Sequence, residues 1–162
     1  MRSGLDSSNG ELIAVIDGDG QMHPYDIIRV YQKIKKENLD FVITFREKRF
    51  DNFWRKTTSF VYNLIFKILF PGIKLKDINS KPKIFTKKLF NQFKLTSNDW
   101  FIDAEMMIQI RRTNAKIGEI PTVFNQNEYR SSFVNVPAVL EFIKNLTKAR
   151  LKEFRINKKF QK

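Results

Sequence analysis

The sequence contains no cysteine, which excludes disulfides, thiol nucleophiles and cysteine metal centres together. It contains one histidine, His23, which leaves little room for a histidine-rich metal centre or a serine-histidine pair; a lone histidine beside a turn reads as structural. Long apolar runs are missing too. The longest, Phe60 to Phe70, is broken by Asn63 and Lys67 and is too short to span a bilayer. Met1 to Gly10 is polar and lacks the apolar centre of a signal peptide. Acidic residues are scarce: 17 Asp plus Glu against 30 Lys plus Arg leave a formal charge of +13. An excess of that size suits a polyanionic partner, whether nucleic acid, anionic lipid headgroups or a phosphorylated substrate. The expectation is a cytoplasmic chain, with peripheral contact to the cytoplasmic membrane face as the variant that its basic helices suggest.

What is present suffices for a folded domain: 162 residues, 42% of them apolar, with sixteen phenylalanines. The rest is organised around Leu12 to Gln21. A run of five apolar residues reads as a buried strand and ends in Asp17-Gly18-Asp19-Gly20-Gln21. Residues i and i+2 of an extended chain point the same way, and the glycines let the backbone turn and approach a ligand closely. Two hard oxygen donors so placed suit Mg²⁺ or Mn²⁺ carrying a phosphate-bearing ligand. Asp-Gly-Asp-Gly is also ordinary turn chemistry. Pro24 opens a helix running to about Glu37, and Phe41 to Phe45 reads as a second strand, which completes a βαβ unit with the acidic cup at the carboxyl end of its first strand. Arg46 to Asp51 reads as a charged loop and Asn52 to Phe70 as a long helix stopped by Pro71-Gly72. The apolar residues Phe53, Val61, Leu64, Ile65, Ile68 and Leu69 on that helix read as core, with a helix lying in the membrane interface as the alternative. Asp77 to Phe85 looks like a turn entering a short extended piece, Leu89 and Phe90 suit a brief helix, and a further helix opens at Trp100 and runs through Arg112. Lys116 to Phe124 reads as an edge strand because of Pro121. A basic amphipathic helix over Val139 to Phe154 closes the chain.

In order, four of these pieces resemble motifs of the family 2 glycosyltransferases of the GT-A fold, particularly the branch of dolichyl-phosphate mannosyltransferase and other polyprenyl-phosphate sugar transferases. Asp17-Gly18-Asp19-Gly20-Gln21 resembles the D-x-D-x-Q segment. Arg46 is similar to the arginine that opens the family's basic loop. Asp77 to Phe85 resembles D-x-N-x-x-P-K-x-F. Trp100 to Glu105 followed by Gly118-Glu119-Ile120-Pro121 resembles W-x-x-D-x-E and then x-E-I-P-V. The resemblance implies an α/β fold: a partial GT-A, Rossmann-like sheet with flanking helices and the basic C-terminal helix. Its domain reading is a polar lead at 1–10, the C-terminal part of a catalytic domain at 11–154 and a basic tail at 155–162. The βαβ segment that grips the nucleotide is expected to be missing, and where the family has R-x-x-G-x-S-K this chain has Asn127-Glu128-Tyr129-Arg130-Ser131-Ser132-Phe133.

The implied activity is transfer of a sugar from a nucleotide-sugar donor to an acceptor, favoured as a polyprenyl phosphate. Asp17, Asp19 and Gln21 would hold Mg²⁺ or Mn²⁺, and Asp103 is the matched candidate for a catalytic base. Arg46, Arg49, Lys83, Arg130 and Ser132 would bind donor or acceptor phosphate, while Asp77 and Asn79 would shape the site. Each has a plainer reading beside it: Asp103 as a helix cap, Arg46 and Arg49 as solvated charges, Asp77 and Asn79 as turn formers. Two rival functions stand as well. One is a remnant without independent activity, completed by a separate N-terminal polypeptide. The other, weaker for want of any nucleic-acid motif, is a basic nucleic-acid-binding module.

Overall fold

The computed structural model describes residues 1–50, 53–125 and 136–159, without the side chains of residues 49, 136, 138 and 155–159. Within them, four strands form one sheet: β1 (Leu12–Val15), β2 (Phe41–Arg49), β3 (Lys83–Thr86) and β4 (Ile117–Phe124), in the order β1-β3-β2-β4. β3 runs antiparallel to β1 and to β2, and β2 runs parallel to β4. The carboxyl ends of β1, β2 and β4 therefore lie along one edge with the entrance to β3, the edge where ligands gather in open α/β sheets. Helix α2 (Tyr25–Lys36) connects β1 to β2, as the βαβ pattern predicts, but β3 is inserted between those strands. The short extended piece after Pro82 is thus a central strand. β1 lies at an edge of this sheet and not at its centre.

Alternation along the strands sorts the core into two layers. Val42 and Ile84 point to α2 and pack with Val30 and Ile34. Phe41, Ile43 and Phe85 point the other way, into the larger cluster under α3 (Phe53–Leu69), α5 (Ile102–Ile110) and α6 (Val136–Lys159). Phe41 stacks on Phe85 across the β2-β3 ladder at 6.1 Å between ring centroids. Tyr62 of α3 meets Phe142 of α6 at 5.4 Å. Burial of each such ring is worth about 2–3 kcal/mol.

Several sequence expectations are corrected. The polar lead contains helix α1 (Arg2–Asp6), which delivers Leu5 to the core. β2 does not end at Phe45; it pairs with β4 as far as Arg49, through an irregularity between Arg46 and Lys48, so Arg46 belongs to a strand and not a loop. Charge alone misled there, because alternate residues at the end of a strand can face solvent. On α3 the buried residues are Tyr62, Asn63 and Phe66, while Phe53, Phe60, Val61, Leu64 and Ile68 face outward, Phe53 at 83% exposure. The helix buries its narrower, partly polar stripe against α6 and the sheet. Helix α6 continues to Lys159, so the basic tail is helical over residues 155–159. The brief helix is α4 (Lys87–Phe90), capped by the Thr86 hydroxyl accepting the Leu89 N–H.

Candidate functional site

The acidic loop follows β1 directly and is sewn to the end of β4. Gln21 is buried; its side-chain nitrogen donates to the Asn125 carbonyl at 2.9 Å, and the Asn125 N–H donates back to the Gln21 carbonyl at 2.9 Å. Asp19 accepts the Gln21 N–H at 3.1 Å, and Gly20 takes a φ of +70°, the left-handed region that glycine enters without strain. His23 is structural, its Nδ1 accepting the Tyr25 N–H at 3.2 Å.

Across the edge, the chain before β3 brings two lysines to one carboxylate. Lys81 and Lys83 are two residues apart in an extended segment and share a face. Asp103 Oδ1 lies 2.8 Å from Lys83 Nζ and Asp103 Oδ2 lies 3.0 Å from Lys81 Nζ. Lys81 Nζ also lies 3.1 Å from Asp17 Oδ1, which links the acidic loop to α5. Lys83 is 0% exposed, at the centre of the sheet between Val15 and Ile43. Burial by itself would raise the Asp103 carboxyl, but the two ammonium groups outweigh it and hold it below the usual range. Burial opposes the charge on Lys81 too, yet its two carboxylates raise it. Lys83 is lowered, chiefly by burial. The neighbouring Tyr62 hydroxyl is raised by burial and by the Asp103 charge.

Arg46 forks onto Asp77 with Nε at 2.5 Å from Oδ2 and Nη2 at 2.8 Å from Oδ1, and Asp77 Oδ1 also accepts the Asn79 N–H at 3.2 Å. Asp77 thus shapes the turn and fixes Arg46 together. Thr44 ties the same turn to β2 through the Ser80 hydroxyl and the Lys81 carbonyl. A cleft of about 200 Å³ opens over these groups, lined by Asp17, Arg46, Arg55, Asn79, Lys81 and Asp103, with Tyr62, Trp100 and Phe142 among its apolar walls. Arg46 and Ser59 form the partition to a groove of about 650 Å³, whose other walls include Phe45, Phe60 and Leu64 beside Lys56, Lys67 and Lys76.

Of the residues expected to act together, Asp17, Arg46, Asn79 and Asp103 line the cleft, while Asp77 and Lys83 stand immediately behind it. Asp19 is exposed on the loop and outside the cleft lining, and Gln21 braces the loop from within the protein. The Arg49 side chain, Arg130 and Ser132 lie outside the described residues. Asp103 does not cap α5; it sits in the first turn with both oxygens on lysines, while Asp99 accepts the Phe101 N–H. Glu105 accepts the Thr96 and Ser97 N–H groups and orders the loop before the helix. Sequence reasoning missed Lys81, Arg55 and Tyr62. A visible signal existed for the first: lysines two apart around a proline, entering an apolar strand.

Asp17 and Asp19 are hard oxygen donors of the type that Mg²⁺ or Mn²⁺ takes, one or two at a time, beside phosphate and water, and Asp17 already has the Lys81 ammonium at 3.1 Å. Among the described residues no three His, Asp or Glu side chains converge as an all-protein metal cage.

Three comparisons bear on identity. The chain is 31% identical over 149 residues to dodecaprenyl-phosphate galacturonate synthase of Rhizobium johnstonii, an alignment covering 90% of this chain and 43% of that protein. Its structure resembles that of glucosyl-3-phosphoglycerate synthase from Mycobacterium tuberculosis, crystallised with phosphoglyceric acid, with a TM-score of 0.65 at 13% identity. That likeness covers 92% of this chain and 51% of the other, so the chain spans about half the length of these relatives. The structural likeness gives the chain the GT-A glycosyltransferase fold. The model of glycosyl transferase family 2 matches residues 1–108, and the chain belongs to that family.

Proposed function

We propose that the chain transfers a sugar from a nucleotide-sugar donor to a polyprenyl phosphate. The observation that carries this reading is the adjacency of two spaces. The cleft beside Asp17 shares Arg46 and Ser59 with a groove whose walls hold Phe45, Phe60 and Leu64 beside Lys56, Lys67 and Lys76, a mixture that suits a phosphate at the head of a hydrocarbon chain. The Rhizobium johnstonii relative, named for a dodecaprenyl phosphate product, points to the same acceptor class.

Asp17 and Asp19 are the residues proposed to hold Mg²⁺ or Mn²⁺, which when bound neutralises charge on the leaving diphosphate. Gln21 serves by holding their loop against β4. Asp103 is a poor candidate for a base: both oxygens are engaged by ammonium groups and its proton affinity is depressed. A phosphate acceptor needs none, since its oxygen is already anionic. That oxygen forms the new bond to the anomeric carbon as the bond from that carbon to the diphosphate oxygen breaks, and the nucleoside diphosphate leaves without proton transfer. Arg46, held by Asp77, and Arg55, which lines the same cleft, are the residues proposed to orient phosphate. The outward apolar face of α3 and the basic face of α6 supply a surface for peripheral membrane contact; among the described residues no helix is long and apolar enough to cross a membrane.

The test is turnover with UDP- or GDP-sugars, a short-chain polyprenyl phosphate and Mn²⁺. Transfer is expected to fall at least 100-fold in Asp17→Ala and Asp19→Ala, roughly the loss of one strong electrostatic contact in the transition state. Transfer to a simple alcohol but not to the lipid phosphate would overturn the acceptor assignment. Calorimetry that shows UDP or GDP binding with Mn²⁺ but no turnover would favour a chain that needs a separate polypeptide.

A further inference from the structure

Lys81 has no role in the reaction as described, yet it is the hub of the cleft. Its side chain is 7% exposed and its ammonium is shared by Asp17 at 3.1 Å and Asp103 at 3.0 Å. Asp103 already has Lys83 at 2.8 Å on its other oxygen. Lys81 is therefore the resident cation of Asp17, which is the carboxylate assigned above to a divalent ion. Asp17 and Asp103 carry two negative charges against two on Lys81 and Lys83, so this linked set is balanced, and Arg46 and Arg55 line the same cleft. A divalent ion alone would add two positive charges beside the Lys81 ammonium, and a diphosphate arriving with it would offset them.

We propose that Lys81 competes with the divalent ion for Asp17, so that metal alone is held weakly and metal together with a nucleoside diphosphate is held tightly. The inference rests on the metal reading of Asp17 and Asp19. Its consequence is that occupancy by the ion depends on occupancy by the donor. Lys81 is thus a positioning residue that couples two ligands, and the coupling is reciprocal.

The experiment is Mn²⁺ titration of the full chain, followed by loss of the free-ion paramagnetic resonance signal, alone and with UDP or GDP. Wild type is expected to bind Mn²⁺ weakly alone and more tightly with one of the diphosphates. Lys81→Gln is expected to bind Mn²⁺ alone about tenfold more tightly, as removal of a nearby like charge requires, and to lose most of the diphosphate enhancement. Equal Mn²⁺ affinity in both folded proteins would overturn this proposal alone. No uptake by wild type with either nucleotide would overturn the metal reading and this proposal with it. Should Lys81→Gln not fold, wild type with ¹⁵N-labelled lysine decides. The Lys81 ammonium resonance, assigned by its loss in Lys81→Arg, must shift when Mg²⁺ and the nucleotide are added, and an unmoved signal overturns the proposal.

Discussion

At the scale of residues, the centre of this protein is a chain of alternating charges, Asp17, Lys81, Asp103, Lys83, exposed at the loop and buried from Lys81 onward to the middle of the sheet. Removing one member of such a set leaves another charge buried and uncompensated. Asp103→Asn is expected to lower stability by about 3–5 kcal/mol in urea unfolding at neutral pH. A loss below about 1 kcal/mol would mean that Lys83 finds another partner. The same geometry fixes an acid limit. Asp103 and Glu153 are both held below their ordinary values, 3.8 and 4.5, the second because Arg150, Arg112 and Arg111 outweigh its burial. A carboxyl depressed on folding contributes stability that is complete above its unfolded pKa and is lost as pH falls through the folded one. The urea midpoint should thus be insensitive to these two groups at neutral pH and fall below about pH 4.5, and a midpoint that rises on acidification would contradict the assignment.

At the scale of elements, α3 faces two ways. Tyr62 and Phe66 anchor it in the core, whereas Phe53, Phe60, Leu64 and Ile68 form a ridge in solvent, with Lys56 and Lys67 alongside. Replacing Phe60 and Ile68 together by Glu should change folding stability by less than about 1 kcal/mol, as surface substitutions do. The same pair should sharply reduce sedimentation with anionic phospholipid vesicles. Full vesicle binding by the double variant would place the membrane surface elsewhere. Individual elements were legible in the sequence where periodicity and punctuation agreed: α2 after Pro24, α5 after Trp100, β4 with Pro121 at an edge. The direction a helix faces was not. On α3, apolar residues occur on both sides, and only the position of α6 and the sheet decides which side is covered.

At the scale of the whole molecule, the +13 charge and the apolar ridge act together. Binding to vesicles of anionic lipid should weaken with salt but persist above about 0.5 M where the apolar contact holds it, since the Debye length there is about half its value of about 8 Å at physiological ionic strength. Binding to oligonucleotides that is tighter than to vesicles would revive a nucleic-acid role. The ordered motifs revealed the family and pointed to Asp17, Asp77 and Asp103, which line or back the cleft, because each announces itself through neighbouring residues. Strand order and the lysine bridge were hidden, since both depend on contacts between segments twenty or more residues apart: Lys83 with Asp103, and β3 inserted between β1 and β2.

The placement of Lys83 gives the sheet a lock as well as a charge. It faces Val15 in one ladder and Ile43 in the other, on the same side as Phe85. A slip of β3 by one residue in either direction would turn that side chain toward α2 and present Ile84 or Pro82 to Asp103. The misaligned sheet would then leave the largely buried Asp103 carboxylate without its innermost cation. Register errors are rejected by the same ion pair that builds the floor of the cleft, so a chain that folds at all folds with its site in alignment.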